Sequence, residues 1–338
     1  LTAIVAPAEA KAILPRGRSY GDMKRGKVAA LAALLFLAAG CSAGLVQVPP
    51  TAQSAIREAG WLSPAAKKCK SKLYVSSYRL NYVDIYCTKG HNQAPIGEIT
   101  NGIRTPEGAA VDGKGNLYVT NTSANTVTEY ARGSLNPKFT YSSGLADPAG
   151  VAIDARRNVY VTSLSPASVE VFPQEVNSPS LKITNVPYPI DLALDTSSNA
   201  YVTTYISGFG SGEILEFAAG TTKGKSLGVV TKVPGGIVLD TAGDIVTADQ
   251  GLPGVLVFPP GKTQPSKTFG QNALDPDPVR FLDSEKQLYV GDSVGNAVYV
   301  YSYPAGTLVD TITDGIDGPN GLALDPAAPL SRGPRSKS

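Results

Sequence analysis

The chain has 338 residues, 42% hydrophobic and 17% charged, with 35 Gly and 26 Pro against one Trp, one Met and one His, which argues for many short strands joined by turns. A single His excludes multi-His metal centres and two-imidazole mechanisms, and three Cys exclude a four-cysteine zinc site or a disulfide-dense scaffold. The formal charge of +2 hides a division: residues 73–325 hold 16 basic and 25 acidic side chains, a net of −9, the wrong sign for a nucleic-acid surface.

Residues 1–22 precede Met23, the sole methionine, and read as an upstream extension that is not part of the native protein. Residues 23–41, MKRGKVAALAALLFLAAGC, place Lys24, Arg25 and Lys27 before an apolar run that starts at Val28 and ends at Cys41. This is the pattern of a signal peptide, too short for a comfortable bilayer span. Its end resembles a bacterial lipobox, with Ala39 and Gly40 before the Cys, although the usual Leu stands one place early at Leu37. The resemblance implies lipid on Cys41 and an extracytoplasmic domain held to the cell envelope; plain secretion is the alternative. Residues 42–72, rich in Pro, Ala and Ser and ending in KKCKSK, predict a tether. Trp61 and Leu62 are its large apolar pair.

Next comes a repeat. Its first strands read PEGAAVD (106–112), PAGVAID (148–154), PIDLALD (189–195), PGGIVLD (234–240), PVRFLD (278–283) and PNGLALD (319–325). The closing residues Asp112, Asp154, Asp195, Asp240, Asp283 and Asp325 are 42, 41, 45, 43 and 42 residues apart. Such a period with short strands predicts a β-propeller, one four-stranded antiparallel blade per repeat. A polar turn ending in Asn116, Asn158, Asn199, Asp244 or Gln287 leads to a second strand of the type LYVTN (117–121), then a third such as VTEY (127–130) and a weaker fourth such as KFTY (138–141). Within the first strand, Ala110, Ala152, Ala193, Val238 and Ala323 occupy one alternating position, which suits the taper toward a propeller axis.

Before the first full repeat stand LYVSS (73–77), VDIY (83–86) and PIGEI (95–99), a blade without its first strand; after the last stands GLALD alone. The expectation is an all-β, six-bladed ring over 73–325, closed when the C-terminal strand joins the N-terminal blade. Residues 326–338 read as a disordered basic tail. The P-x-G-x-A-x-D and G-N-x-Y-V-T repeats resemble those of NHL-repeat propellers, within a wider group that includes gluconolactonase-like (SMP-30) enzymes, streptogramin lyases and secreted bacterial binding proteins.

Strand polarity sorts the candidates. First strands begin, and second strands end, at one face, here called the top. Glu107, Asp191, Arg280 and Asn320 from first strands join Asn121, Tyr205, Asp249 and Asp292 from second-strand ends as candidate ligand-binding residues there. Glu107, Asn320, Asp249 and Asp292 are the candidate metal ligands, with oxygen chemistry suited to Ca²⁺. The gluconolactonase-like resemblance matches only Glu107 and Asn320 loosely and supplies no catalytic Asp. A streptogramin-lyase-like mechanism implies a His base, but His91 lies at the bottom. The closing aspartates lie at the bottom too and read as turn caps. Cys69 and Cys87 remain for a disulfide in an oxidising compartment. The sequence therefore predicts a monomeric, non-catalytic propeller without a cofactor that binds a protein, glycan or small ligand at its top face; a metal-dependent hydrolase or lactonase is the alternative.

Overall fold

The computed structural model describes residues 60–207, 211–252, 254–282, 285–326 and 329–334. The expectations for residues 1–22, the signal, Cys41, the tether before Gly60 and Asp283 lie outside the described residues. Each repeat forms a four-stranded antiparallel sheet, and six sheets make the ring of a six-bladed β-propeller. Blades two to six occupy 106–141, 148–183, 189–231, 234–269 and 276–312. Blade one combines Lys72–Ser77, Tyr82–Cys87 and Gly97–Ile99 with the final strand Pro319–Asp325, paired antiparallel from Lys72↔Asp325 to Ser77↔Pro319.

The core is divided among the blade interfaces. Alternate residues of a strand face opposite sides of its sheet, so Leu73 and Val75 enter the cluster shared with blade six, and Tyr74 the cluster shared with blade two. Every neighbouring pair of blades has its own apolar cluster.

Each first strand carries an irregularity two or three residues after its opening Pro, as between Pro106 and Ala109. The YVT threonines explain how the disturbed backbone is satisfied. Thr120 accepts the Gly108 amide at 2.7 Å and donates to the Ala149 carbonyl of the next blade at 2.8 Å; Thr162 does the same with Gly150 and Ile190. Glycine at this point follows from close approach: a Cβ on Gly108 would meet Ala149 O at 2.2 Å, and one on Gly150 would meet the Asp191 Cα at 2.7 Å.

Blade six corrects the repeat register. Its first strand is Pro276–Phe281, and Pro276 pairs with Asp292 as Pro106 pairs with Asn121. Leu282 donates its amide to Gln287 O as Asp112 does to Asn116 O, so Leu282 takes the strand-closing position. Pro278 therefore fills the glycine position, and Arg280 the small-residue position.

Both ends of the domain depart from expectation. From Gly60 onward the predicted tether is folded: Trp61–Leu62 pairs with Gly97–Glu98 as a fifth strand, and a short helix, Pro64–Lys68, follows. Leu62 packs on the cluster between blades one and two, and a disulfide joins Cys69 to Cys87. At the other end, where a disordered tail is predicted, residues 329–334 cross the bottom face. Ser331 is buried and its carbonyl accepts the Thr196 amide at 2.9 Å.

Candidate functional site

The top face is assembled from six strand starts and the loops that follow six second strands. The residue after each opening Pro is Glu107, Ala149, Ile190, Gly235, Asp277 or Asn320. Asp277, Asn320 and Glu107 thus occupy one structural position on three consecutive blades, six, one and two, and all three are buried around the mouth of the axis. Glu107 accepts a hydrogen bond from Thr122 Oγ1 at 3.0 Å. Sequence reasoning misses Asp277 because the PVRFLD motif aligns blade six on Pro278; alignment on Pro276, two residues ahead of the glycine position, finds it.

Asn121, Asp249 and Asp292 also share one position, paired with the opening Pro, but they face away from the axis. Asp249 accepts the backbone amides of Lys232, Val233, Gly251 and Leu252 at 2.8–3.1 Å. Asp292 likewise accepts those of Leu274, Asp275, Val294 and Gly295 at 2.8–3.2 Å. Asn121 accepts the Arg104 amide and donates to Thr128. All three are fully buried. These contacts staple the interblade links to the second strands and turn the three side chains toward those links. The structure therefore does not bring Asp249 and Asp292 together with Glu107 and Asn320 as one donor set. Among the described residues no cluster of three or more His, Cys, Asp or Glu has metal-binding geometry.

Asp191 and Arg280 meet each other. Arg280 reaches across the axis from blade six, donating Nη1 to Asp191 Oδ2 of blade four at 3.0 Å and Nη2 toward Ala109 O of blade two at 3.5 Å. Asp191 Oδ2 also accepts the Ile237 amide at 3.3 Å. The pair bars the channel below the mouth. Tyr205 lies at the mouth, with its ring centroid 5.8 Å from that of Tyr188. Burial, then the nearby Glu107 carboxylate, pushes the Tyr188 hydroxyl well above its ordinary range, so it stays a neutral donor.

The bottom face holds the turn caps. Asp112 Oδ1 accepts the amides of Lys114 and Asn116, and its Oδ2 accepts Asn116 Nδ2; Asp154 and Asp195 repeat this pattern. Asp325 takes both arms of Arg132 at 2.8 Å. His91 is exposed, 3.4 Å from Asp310, on the loop between the third and fourth strands of blade one.

The rim of the top face is uneven. Nine large apolar side chains stand exposed among the described residues, and five belong to it: Leu80, Val230, Leu252, Leu274 and Val294, at 37–64% exposure. They run from the end of blade four through blades five and six to blade one. Polar contacts bind the last part together: Arg79 Nη2 donates to Ser293 O, and Ser293 Oγ to Asp275.

No family model matches the chain, and no curated protein matches it. Solved structures do. A chain of a nidogen/laminin complex superposes with a TM-score of 0.62 at 17% identity, covering 75% of this chain and 98% of that one. A functionally unknown protein from Desulfotomaculum acetoxidans gives 0.56 at 15% identity, covering 76% and 99%. Kuenenia stuttgartiensis hydrazine synthase gives 0.56 at 14%, covering 78% and 87%. At these identities the likeness extends to the propeller fold.

Proposed function

We propose that this chain is a non-catalytic, NHL-like binding propeller, held outside the cytoplasm by lipid on Cys41, whose top face docks a protein partner. The observation that carries the reading is the apolar crescent on blades five, six and one beside a mouth lined by Glu107 and Asp277. Exposed aliphatic side chains gathered on one rim favour a protein interface. The negative field of the carboxylates in the neighbouring mouth favours a partner that presents a Lys or Arg among aliphatic residues. The crescent suits a protein better than a glycan, which would ask for exposed aromatic platforms and hydrogen-bonding groups. Of the four residues offered for a metal-dependent hydrolase or lactonase, Asp249 and Asp292 accept backbone amides, which favours the binding reading.

A photo-crosslinking side chain placed at Leu274 tests this in envelope preparations. It should yield one protein adduct that excess purified propeller suppresses, and that a Leu252→Asp/Leu274→Asp propeller fails to suppress. Equal adducts from a crosslinker at Val176, on the bottom face, would remove the assignment.

A further inference from the structure

We propose that the lower half of the axial channel is a binding chamber for a small neutral apolar molecule, gated by the C-terminal segment. Beneath the Arg280–Asp191 bar lies a cavity of about 140 Å³. Its walls come from the ring of small residues, Ala110, Ala152, Ala193, Val238 and Ala323, and from the larger aliphatic residues that follow each of them. Interiors are normally close-packed. Replacing two of these alanines by Leu would close the space, yet five blades keep a small side chain there. An apolar cavity of about 150 Å³ in another protein stays dry and takes up benzene. The chamber has that size, and its walls are chiefly aliphatic, with Arg280 and Ser331 at its two ends.

The roof fixes the charge of the guest. Arg280 carries its counterion with it, because Asp191 Oδ2 lies 3.0 Å from Nη1. The bar therefore offers no unpaired charge, and an anionic guest would have to break a largely buried ion pair. A neutral hydrocarbon body is the match.

The floor is the strap 329–334. Leu330 reaches the chamber, packing against the cluster between blades three and four. Ser331 holds the strap in place: its carbonyl accepts the Thr196 amide at 2.9 Å, and its hydroxyl meets Glu285 Oε1 at 3.3 Å. A short segment laid over the face, outside every sheet, opens more readily than the blades it covers. Glu285 Oε2 accepts the Thr241 amide, so the strap's anchor also joins the turns of blades five and six.

Benzene, added to the full chain with its alanine methyls labelled for NMR, is the probe. Saturable shifts are expected at Ala110, Ala152, Ala193 and Ala323 and none at the exposed Ala218. Benzoate should produce none. Ala193→Leu should weaken benzene at least tenfold, and Leu330→Ala should speed its exchange by a similar factor. Absence of saturable shifts, or equal binding by Ala193→Leu, overturns the chamber. Equal binding of benzoate overturns the neutral class, and an unchanged exchange rate in Leu330→Ala overturns the gate. If Ala193→Leu fails to fold, crystals of the unaltered protein under xenon decide: xenon between Ala152 and Ala193 supports the chamber, and ordered water there overturns it.

Discussion

Asp244 stands where blades two, three and four place an asparagine. In those blades Asn116, Asn158 and Asn199 donate Nδ2 to the closing aspartate at 2.9 Å. An ionised Asp244 has no proton to give, and burial, then the Asp240 charge, raises its pKa above the ordinary 3.8. A carboxyl with a raised folded pKa holds its proton more tightly in the native state. It therefore costs no stability below the unfolded pKa, and the cost grows as pH rises through the folded one. Asp244→Asn should stabilise the domain by about 1 kcal/mol near neutral pH, with the gain fading as pH falls toward the ordinary carboxylate range. Urea melts at both pH values measure it; a gain that persists undiminished in acid would contradict the argument. The threonines of the second strands act at the same scale. Thr162 is fully buried and serves two blades at once, so Thr162→Val should cost about 1–3 kcal/mol by orphaning the Gly150 amide and the Ile190 carbonyl. An unchanged melt for that variant would reduce Thr162 to a β-forming residue.

At the scale of the element, the outer edge of blade one is where the propeller differs from its own repeat. Its last regular strand, Gly97–Ile99, has three residues and would leave an open edge, and Trp61–Leu62 covers it. Gly60 permits the approach, since a Cβ there would meet Glu98 O at 2.5 Å. The Cys69–Cys87 bridge, closing a separation of 18 residues, pins this added strand and its helix to the second hairpin strand. In the loop-entropy account such a closure is worth about 3 kcal/mol. The Cys69→Ser/Cys87→Ser protein should fold as a propeller yet lose roughly that stability in denaturant, and amide exchange should rise first in 60–72. Uniform exchange across all six blades would show that the bridge acts on the unfolded chain alone.

Taken whole, the propeller is a ring of six apolar interfaces, one between each pair of blades, so its axis has to be held by other means. Close backbone approach at the glycines does this for most neighbours. Blades four and six depart from the pattern, with Asp191 and Pro278 in place of glycine, and the Arg280–Asp191 pair spans the axis between them. Arg280→Met would strand a largely buried carboxylate and should cost about 3–5 kcal/mol, whereas Arg280→Met with Asp191→Asn should recover most of the loss. A thermodynamic cycle on the two variants measures the coupling, and additive losses would mean that the two side chains contribute independently.

The fold was legible in the chain because its causes are local and repeated. Period-two strands, Pro at each strand start and Asp at most of the turns are set by backbone geometry, and repetition every 41–45 residues counts the blades. The lone GLALD at the end tells where the ring closes. The site was less legible, because Asn121, Asp249 and Asp292 look like ligands in a row of letters, and only the packed interblade links show their carboxyl and amide groups occupied. Asp277 was hidden by a two-residue shift that the pairing of Pro276 with Asp292 resolves. The union of Arg280 with Asp191, 89 positions away, belongs to the tertiary structure entirely. Which polar groups remain for a partner depends on which ones the neighbouring blades consume, and that is settled when the ring shuts.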